Sequence, residues 1–372
     1  MSELKSNRLR RIAILLPNLR GGGAERLHIH LTKEFIARGY SVDFVLMQVH
    51  GELLGSRPVG SQVVDLNAPR VRHALLPFVR YLKKEKPDAI IVAMWPLTII
   101  GVLAHRIAGC PGKLLLSDHN YLPSTPYGKG VSGLIMKITM QLFYPFADAI
   151  VAVSQGVKET VAHLSGMDLE KIDVIYNPIR LEHNPQSKVD ASIEKWWRQA
   201  ELKLIAIGSL KAQKDFDTLI RSFAKVRNVK DVKLLILGEG PERQALEKLV
   251  VELGLKDSIM LAGFKSDPYP YLEVADLFVL SSRYEGFGNV IVEALACGTP
   301  VIATDCKAGP SEILDGGKYG VLVPVGDPEA LSKAIIDGTC NAPDQQILTN
   351  RAKMFSVERA AENYLKLLIT TN

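Results

Sequence analysis

Cysteine is scarce in this chain and is not grouped in a way that suits a metal. The four cysteines among 372 residues show no C-x-x-C spacing. This pattern provides no zinc ligand set, and a chain of this length can bury a core without disulfide crosslinks. We therefore expect a reducing, cytoplasmic environment and no structural metal.

Long apolar runs are also missing, which excludes a membrane-spanning helix. Such a helix needs roughly 20 consecutive apolar residues, whereas the best stretch, 131–153, is interrupted by Lys137, Pro145 and Asp148. The basic N-terminus leads only into the short apolar run 12–17, without the cleavage site of a secretion signal. We expect any membrane contact to be peripheral, on the cytoplasmic face.

The chain has no strong excess of charge of one sign. Its formal net charge is +5, and 47% of its residues are hydrophobic, as in a globular protein. So small an excess does not favour a nucleic acid as partner. It is compatible with phosphorylated substrates or with an anionic membrane surface.

Short apolar runs alternate with amphipathic stretches along nearly the whole chain. Apolar runs of this kind, separated by helical crossovers, predict parallel sheets that are covered on both faces. The predicted strands are 11–16, 41–47, 62–66, 88–93, 113–117, 149–153 and 172–176, then 203–207, 233–237, 258–261, 277–281, 300–303 and 320–323.

A polar stretch, 181–200, interrupts this alternation and predicts a domain boundary. We expect two doubly wound, Rossmann-like α/β domains, 1–180 and 181–355, with the C-terminal helix 356–372 returning to the first. Ligands of such domains bind at the carboxyl edge of the strands. Two facing domains would thus form a cleft between those edges.

Two glycine-rich turns follow predicted strands. The first, 21–23, would let backbone amides and a helix N-terminus approach an anion, and an empty tight turn is about equally favoured. It does not match the dinucleotide fingerprint, because Arg26 stands where that pattern needs glycine. The second turn, 238–241, fails at Arg243, and a purely structural role is favoured there.

The loop 208–217 follows a predicted strand and carries Lys211 and Lys214. Lysines at a carboxyl edge could hold a phosphate. Asp215 and Asp217 have the D-x-D spacing of a metal site. We favour instead a role for Asp215 as helix cap, with Asp217 in the first turn interacting with the helix dipole.

Histidines provide one further candidate. His28 and His30 stand two apart on a predicted helix, so they point to different faces and are poor joint metal ligands. His119 follows a predicted strand at the carboxyl edge, where ligand sites collect, although a lone histidine is more often structural.

Two glutamates flank the segment 285–293, which otherwise looks like core. Glu285 falls in a predicted loop, and Glu293 lies one turn into a predicted helix, 289–297. The helix N-terminus favours an anion, and carboxylates accept hydroxyl groups. Together they suit a sugar nucleotide, whereas ordinary solvated charges are the alternative. The apolar neighbours of Glu293 weaken that alternative.

These segments together resemble the retaining glycosyltransferases of family 4, which have the two-domain GT-B fold. The resemblance rests on GGAER at 22–26, GSLKAQKDF at 208–216, GEGP at 238–241 and the E-x7-E pair at Glu285 and Glu293. The ordered set covers nearly the whole chain and is far more specific than any single motif. Sugar-nucleotide epimerases share the architecture, and a catalytically silent homologue that binds partners is a second alternative.

The resemblance implies a role for each matching residue. Glu293 would bind the ribose hydroxyls, Glu285 a hydroxyl of the donor sugar, and His119 would line the sugar site. Lys214 would neutralise the diphosphate without a metal. Backbone groups would contact the sugar and diphosphate at Gly22, Gly23, Phe287, Gly288, Asn289 and Val290. Many relatives carry arginine at the position of Ser209, so Lys211 or Arg283 would have to supply a second cation.

The resemblance also implies an activity: transfer of a hexosyl or N-acetylhexosaminyl group from a nucleotide-sugar to a lipid-linked or envelope glycan, and we expect a UDP-sugar as the donor. No cofactor is expected. The segments 70–86 and 131–146 mix basic and apolar residues, which suggests a helix lying on an anionic membrane. Crossover helices whose apolar sides pack on the sheet are the slightly favoured alternative.

Overall fold

The computed structural model describes residues 11–20, 22–124, 128–179, 186–198, 200–338 and 343–369. The chain divides into two units. The first comprises Met1–Pro178 with Val357–Asn372, and the second comprises Ile179–Ser356. The division thus falls two residues before the boundary expected at 180.

The first unit is built on a parallel sheet with the strand order β3-β2-β1-β4-β5-β6-β7 in the described part of the chain. Its strands are β1 Arg11–Leu16, β2 Ser41–Leu46, β3 Gln62–Asp65, β4 Ala89–Ala93, β5 Lys113–Asp118, β6 Ala149–Ala152 and β7 Asp173–Val174. Its helices are α1 Gly23–Ala37, α2 Leu75–Glu85, α3 Leu97–Ala108, α4 Gly130–Phe143, α5 Gln155–Ser165 and, from the C-terminus, α14 Val357–Ile369.

The second unit has a parallel sheet with the order β10-β9-β8-β11-β12-β13. Its strands are β8 Leu202–Ile207, β9 Val232–Leu237, β10 Ile259–Leu261, β11 Leu277–Leu280, β12 Val301–Thr304 and β13 Val321–Val323. Its helices are α6 Ala191–Trp197, α7 Phe216–Arg227, α8 Arg243–Glu252, α9 Tyr269–Val274, α10 Asn289–Ala296, α11 Pro310–Ile313, α12 Pro328–Gly338 and α13 Gln345–Ala352.

The central strands are largely apolar because both of their faces are covered. Ile12 to Leu16 in β1 and Ala89 to Ala93 in β4 are completely buried. Helix α14 closes the core of the first unit, where Tyr364 and Leu368 pack with residues of α1 and β1. These cores confirm the predicted α/β class with parallel sheets.

The predicted strands are all present, with ends within two residues of their expected positions. Helix α6, in contrast, was not expected in the polar stretch 181–200. Its buried side chains in the described residues are Ile193 and Trp197, one helical turn apart. Two apolar positions are too few to make a helical period visible in the sequence.

The second glycine turn has a structural role. A β-carbon at Gly238 would lie 1.9 Å from the carbonyl oxygen of Gly208, and one at Gly240 would lie 2.4 Å from that of Leu210. The turn after β9 therefore packs directly on the backbone that follows β8. This contact supports the structural interpretation of the turn 238–241.

Candidate functional site

In the second unit, a buried carboxylate lies just beyond the carboxyl end of β11. Glu285 is 6% exposed and its Oε1 accepts a hydrogen bond of 2.6 Å from Ser282 Oγ. The loop is tied to the adjacent strand, because Thr304 Oγ1 donates to the carbonyl of Ser282 at 2.6 Å. Glu285 is therefore not a solvated loop charge.

The cation that neutralises Glu285 comes from the loop after the neighbouring strand, β8. Lys214 Nζ lies 2.5 Å from Glu285 Oε1, and the two side chains are 15% and 8% exposed. Strands β8 and β11 are adjacent, so their carboxyl ends bring the two loops together. Gly208 leaves room for the lysine, since a β-carbon there would lie 3.1 Å from Lys214 Cε. The sequence indicated both residues but not their ion pair.

Asp215 does not cap its helix as expected. It directly precedes α7, but its φ is +48° and its side chain makes no capping hydrogen bond. A capping side chain usually requires an extended backbone at that position. The buried carboxylate instead accepts hydrogen bonds from Thr218 Oγ1 at 2.9 Å and from Arg283 Nη2 at 3.0 Å.

The pairing of Asp215 with Arg283 fastens the two loops to each other. The backbone N–H of Arg283 donates to the carbonyl of Gln213 at 2.8 Å, and Gln213 Nε2 donates to the carbonyl of Tyr284 at 2.9 Å. Asp215 offsets the charge of Arg283, which weakens Arg283 as the cation that would compensate for Ser209. Lys211 and Ser209 are both exposed on the same loop.

The backbone just before α10 is shaped by two glycines, Gly288 and Gly309, and the sequence motifs indicated only Gly288. Gly288, with φ +101°, precedes the helix, and Phe287 is buried with its ring 5.6 Å from that of Phe355. Gly309, in the loop after β12, sits against this segment so closely that a β-carbon would lie 1.6 Å from the carbonyl oxygen of Phe287. The Gly-Pro pair at 309–310 is the sequence signal that could have revealed this position.

Three further predicted residues lie at the start of α10. Asn289, Val290 and Glu293 are partly exposed, and Glu293 stands one turn into the helix. Among the residues described, the loops 208–215 and 281–288 and the start of α10 thus combine a lysine, a glutamate and helix N–H groups. This set can bind a ligand that carries both negative charge and hydroxyl groups.

In the first unit, the glycine turn already has a carboxylate beside it. Gly22 precedes α1, and a β-carbon on Gly22 would lie 2.3 Å from Glu25 Oε2. Burial raises the pKa of Glu25. A diphosphate bound by the amides of Gly22 and Gly23 would have to share the turn with this carboxylate. The anion role of the turn therefore stays a prediction.

His119 lies just past β5 and is buried. Its Nε2 is 2.9 Å from Ser117 Oγ, which is 3.0 Å from the hydroxyl of Tyr364 on α14. Burial, followed by the neighbouring His28, lowers the pKa of His119 well below the ordinary range. At neutral pH the imidazole is uncharged and is held by a hydroxyl chain that reaches the C-terminal helix.

The neighbour of His119 is His28, which the sequence did not indicate as a partner. The ring centroids are 5.4 Å apart with an edge-to-face arrangement. His28 Nδ1 donates to the carbonyl of Ala24 at 2.7 Å, and burial lowers the pKa of His28 to about 4. Helix α1 and the loop after β5 thus contribute one uncharged imidazole each to this edge of the sheet.

The buried His28 should make the folded protein sensitive to acid. Its unfolded pKa is near the ordinary 6.5, so the unfolded chain takes up the proton first as the pH falls. Its contribution to stability is complete above about pH 6.5 and is lost as the pH falls toward about 4. Between about pH 7.5 and pH 5 we expect a loss of about 2 kcal/mol, which His28→Phe should remove.

The free energy of unfolding is measured with urea for wild type and His28→Phe at both pH values. The change between the two pH values is then compared between the two proteins. The comparison is needed because Asp118 acts in the opposite direction: burial raises its pKa to about 7, so the folded state gains stability below that pH. Equal pH dependence in wild type and His28→Phe would contradict the assignment.

Comparison with known families identifies the class of protein. Residues 201–339 match the model of glycosyl transferases group 1, and residues 21–183 match the model of glycosyltransferase family 4. The protein is a glycosyltransferase of the GT-B type. The chain belongs to the family 4 glycosyltransferases, as its motifs predicted.

Two bacterial glycosyltransferases match the chain almost end to end. The chain is 28% identical to the N-acetylgalactosamine-N,N'-diacetylbacillosaminyl-diphospho-undecaprenol 4-alpha-N-acetylgalactosaminyltransferase of Campylobacter jejuni, over 97% of this chain and 100% of that protein. It is also 28% identical to the lipopolysaccharide core biosynthesis glycosyltransferase LpsE of Rhizobium meliloti, over 93% of this chain and 96% of LpsE.

Solved structures confirm the GT-B architecture. The Anabaena protein HepE, crystallised in complex with UDP, matches with a TM-score of 0.77 and 23% identity over 96% of this chain and 99% of HepE. A glycosyltransferase from Rickettsia africae matches with a TM-score of 0.79 and 20% identity over 97% of this chain and 99% of that protein. At these identities the likeness concerns the fold alone.

Proposed function

We propose that the protein transfers a hexosyl or N-acetylhexosaminyl group from a UDP-sugar to a hydroxyl of a lipid-linked or envelope glycan, with retention of the anomeric configuration. The observation that carries the proposal is the ion pair between Lys214 and the buried Glu285, which stands four residues before the start of α10. Support for the acceptor class comes from the undecaprenol-linked and lipopolysaccharide substrates in the names of the relatives.

The roles proposed for the chain's residues follow the charges of a sugar nucleotide. Lys214 and the N–H groups at Asn289 and Val290 stabilise the negative charge that develops on the departing diphosphate. Glu293 accepts hydrogen bonds from the ribose hydroxyls. Glu285 accepts one from the donor sugar, and the ion pair with Lys214 fixes the position of that carboxylate.

Retention would proceed by attack of the acceptor hydroxyl on the face that the diphosphate leaves. The new bond joins the acceptor oxygen to the anomeric carbon, the bond to the diphosphate oxygen breaks, and that oxygen takes the hydroxyl proton. Oε1 of Glu285 already accepts hydrogen bonds from Lys214 and Ser282. In this scheme Glu285 remains a hydrogen-bond acceptor and forms no covalent bond to the sugar.

Metal independence is part of the proposal. Both carboxylates of the D-x-D pair are engaged with arginines, Asp215 with Arg283 and Asp217 with Arg221 at 2.7 Å. A cation in this loop would have to displace an arginine from each. The proposed electrostatic stabilisation of the diphosphate therefore relies on Lys214 and the α10 N-terminus.

The reaction can be tested by incubating the protein with UDP- and GDP-sugars and a polyprenyl-diphosphate-linked glycan, with and without chelator. Acceptor-dependent release of UDP, unaffected by chelator, supports the proposal. Conversion of the sugar without acceptor would identify the epimerase alternative, and binding without turnover would identify a silent homologue. Activity lost to chelator and restored by magnesium or manganese would contradict metal independence.

Glu293→Ala should weaken UDP binding by about 10- to 100-fold, because contacts of a charged acceptor with ribose hydroxyls contribute about 1.5–3 kcal/mol. Calorimetric titration with UDP measures the change. Glu273→Ala, on α9 of the same unit, is a control that removes a glutamate elsewhere. Unchanged affinity in Glu293→Ala would rule out the ribose role.

A further inference from the structure

Helix α4 presents its larger apolar side to solvent. The outward residues follow helical spacing on one face and are between 45% and 75% exposed; they are Val131, Leu134, Ile135, Ile138 and Leu142. We call them the α4 apolar face. The helix buries only Met136 and Met140 against its own unit. An ordinary crossover helix would bury the larger apolar side.

Helix α2 provides the contrast. It buries Phe78, Val79, Tyr81 and Leu82, and it exposes mainly the basic residues Arg80, Lys83 and Lys84. The expected crossover packing therefore holds for α2 but not for α4. Helix α2 packs on α3, and α3 packs against α4, so the three lie side by side in the first unit.

The charged residues of the segment that carries the α4 apolar face are basic. Between 119 and 147 the sequence has no aspartate or glutamate, and it has Lys129 and Lys137. Beyond the end of α4, the half-exposed Phe146 has the guanidinium of Arg106 from α3 4.7 Å from its ring centroid. An apolar stripe with a basic margin is complementary to the acyl chains and anionic headgroups of a bilayer.

We propose that the α4 apolar face inserts into the interfacial layer of an anionic phospholipid membrane, with the basic side of α2 adding electrostatic attraction. Helix α4 has 14 residues, too few to span a bilayer. Consistent with that, no helix among the described residues is long and apolar enough to cross a membrane. The helix thus lies along the surface, and insertion rather than charge alone determines the affinity.

The test is co-sedimentation of the full chain with vesicles, at low and high salt. One vesicle type is phosphatidylcholine alone, and the other contains about one quarter phosphatidylglycerol. The insertion variant is Leu134→Gln/Ile138→Gln. The matched control is Val251→Gln/Ile347→Gln, which alters two aliphatic residues of similar exposure, 50% and 49%, in the second unit.

Wild type should bind the anionic vesicles, and part of that binding should survive high salt. The insertion variant should bind at least about tenfold more weakly, and the control variant should bind as wild type does. Lys83→Glu/Lys84→Glu should lower binding to anionic vesicles mainly at low salt. Vesicle binding needs no sugar donor, so its failure would leave the proposed reaction untouched.

Three results would overturn the proposal. These are absence of wild-type binding to either vesicle, equal binding by the insertion variant and wild type, and equal loss in the control variant. A fourth contradicting result could come from sedimentation equilibrium of the protein without lipid. If wild type dimerises and only the insertion variant does not, the face is occupied by a second copy of the chain instead.

Discussion

Lys214→Ala should lower the turnover number by at least about 100-fold, the loss typical when one group that stabilises developing charge is removed. The lysine lies 2.5 Å from the buried carboxylate of Glu285 and is itself only 15% exposed. Rates are measured as acceptor-dependent UDP release. Lys256→Ala is the control, because it removes an exposed lysine of the same unit outside the two loops.

A double-mutant comparison distinguishes two roles of Lys214: stabilising the diphosphate, or only orienting Glu285. If Lys214 acts on the diphosphate, Lys214→Ala should weaken UDP binding, whereas Glu285→Gln should lower turnover and leave UDP affinity nearly unchanged. If Lys214 only orients Glu285, the double variant should be no slower than either single variant. A near-normal rate in folded Lys214→Ala would refute both functions. Circular dichroism checks folding, because breaking a buried ion pair costs about 3 kcal/mol or more.

Gly309→Ala should reduce turnover by about 100-fold, through displacement of the backbone at Phe287. The added methyl would lie 1.6 Å from the carbonyl oxygen of Phe287, so the segment before α10 must shift by an ångström or more. Misplacement of reacting groups by about 1 Å can reduce the rate 100-fold. The shift should also weaken UDP binding.

Gly317→Ala separates this steric effect from backbone strain. Gly309 has φ +98° and Gly317 has φ +102°, so alanine is placed in a strained backbone conformation at both positions. A β-carbon at Gly317 has no heavy atom within 4 Å. Turnover and thermal stability are measured for both. If Gly317→Ala loses as much activity as Gly309→Ala, the close approach to Phe287 is not the cause.

Some features of the site were visible in the sequence because they depend on local pattern. Glu285 and Lys214 follow apolar runs, and the carboxyl ends of parallel strands collect ligand-binding groups. The same logic indicated His119. In each case the sequence located the residue at the edge of a sheet, but it did not identify the atoms that the side chain contacts.

Long-range contacts account for what was missed. Asp215 was expected to cap α7, yet Arg283, distant in sequence, binds its carboxylate at 3.0 Å. His28 was judged by its separation from His30 on one helix, whereas its partner is His119, 5.4 Å away. Gly309 has its effect only because the loop after β12 returns to Phe287.

Apolar periodicity and glycine turns are local and repeat along the chain, so they were enough to predict the two parallel α/β units, their strands and the family. Which charges neutralise one another, and which helix surface stays uncovered, depends on how the chain packs. Lys214 and Glu285 pair because β8 and β11 are neighbours. The α4 apolar face is exposed because α4 packs on the first unit through a different side, which carries Met136 and Met140. Both outcomes depend on the proximity of distant segments, which no local pattern records.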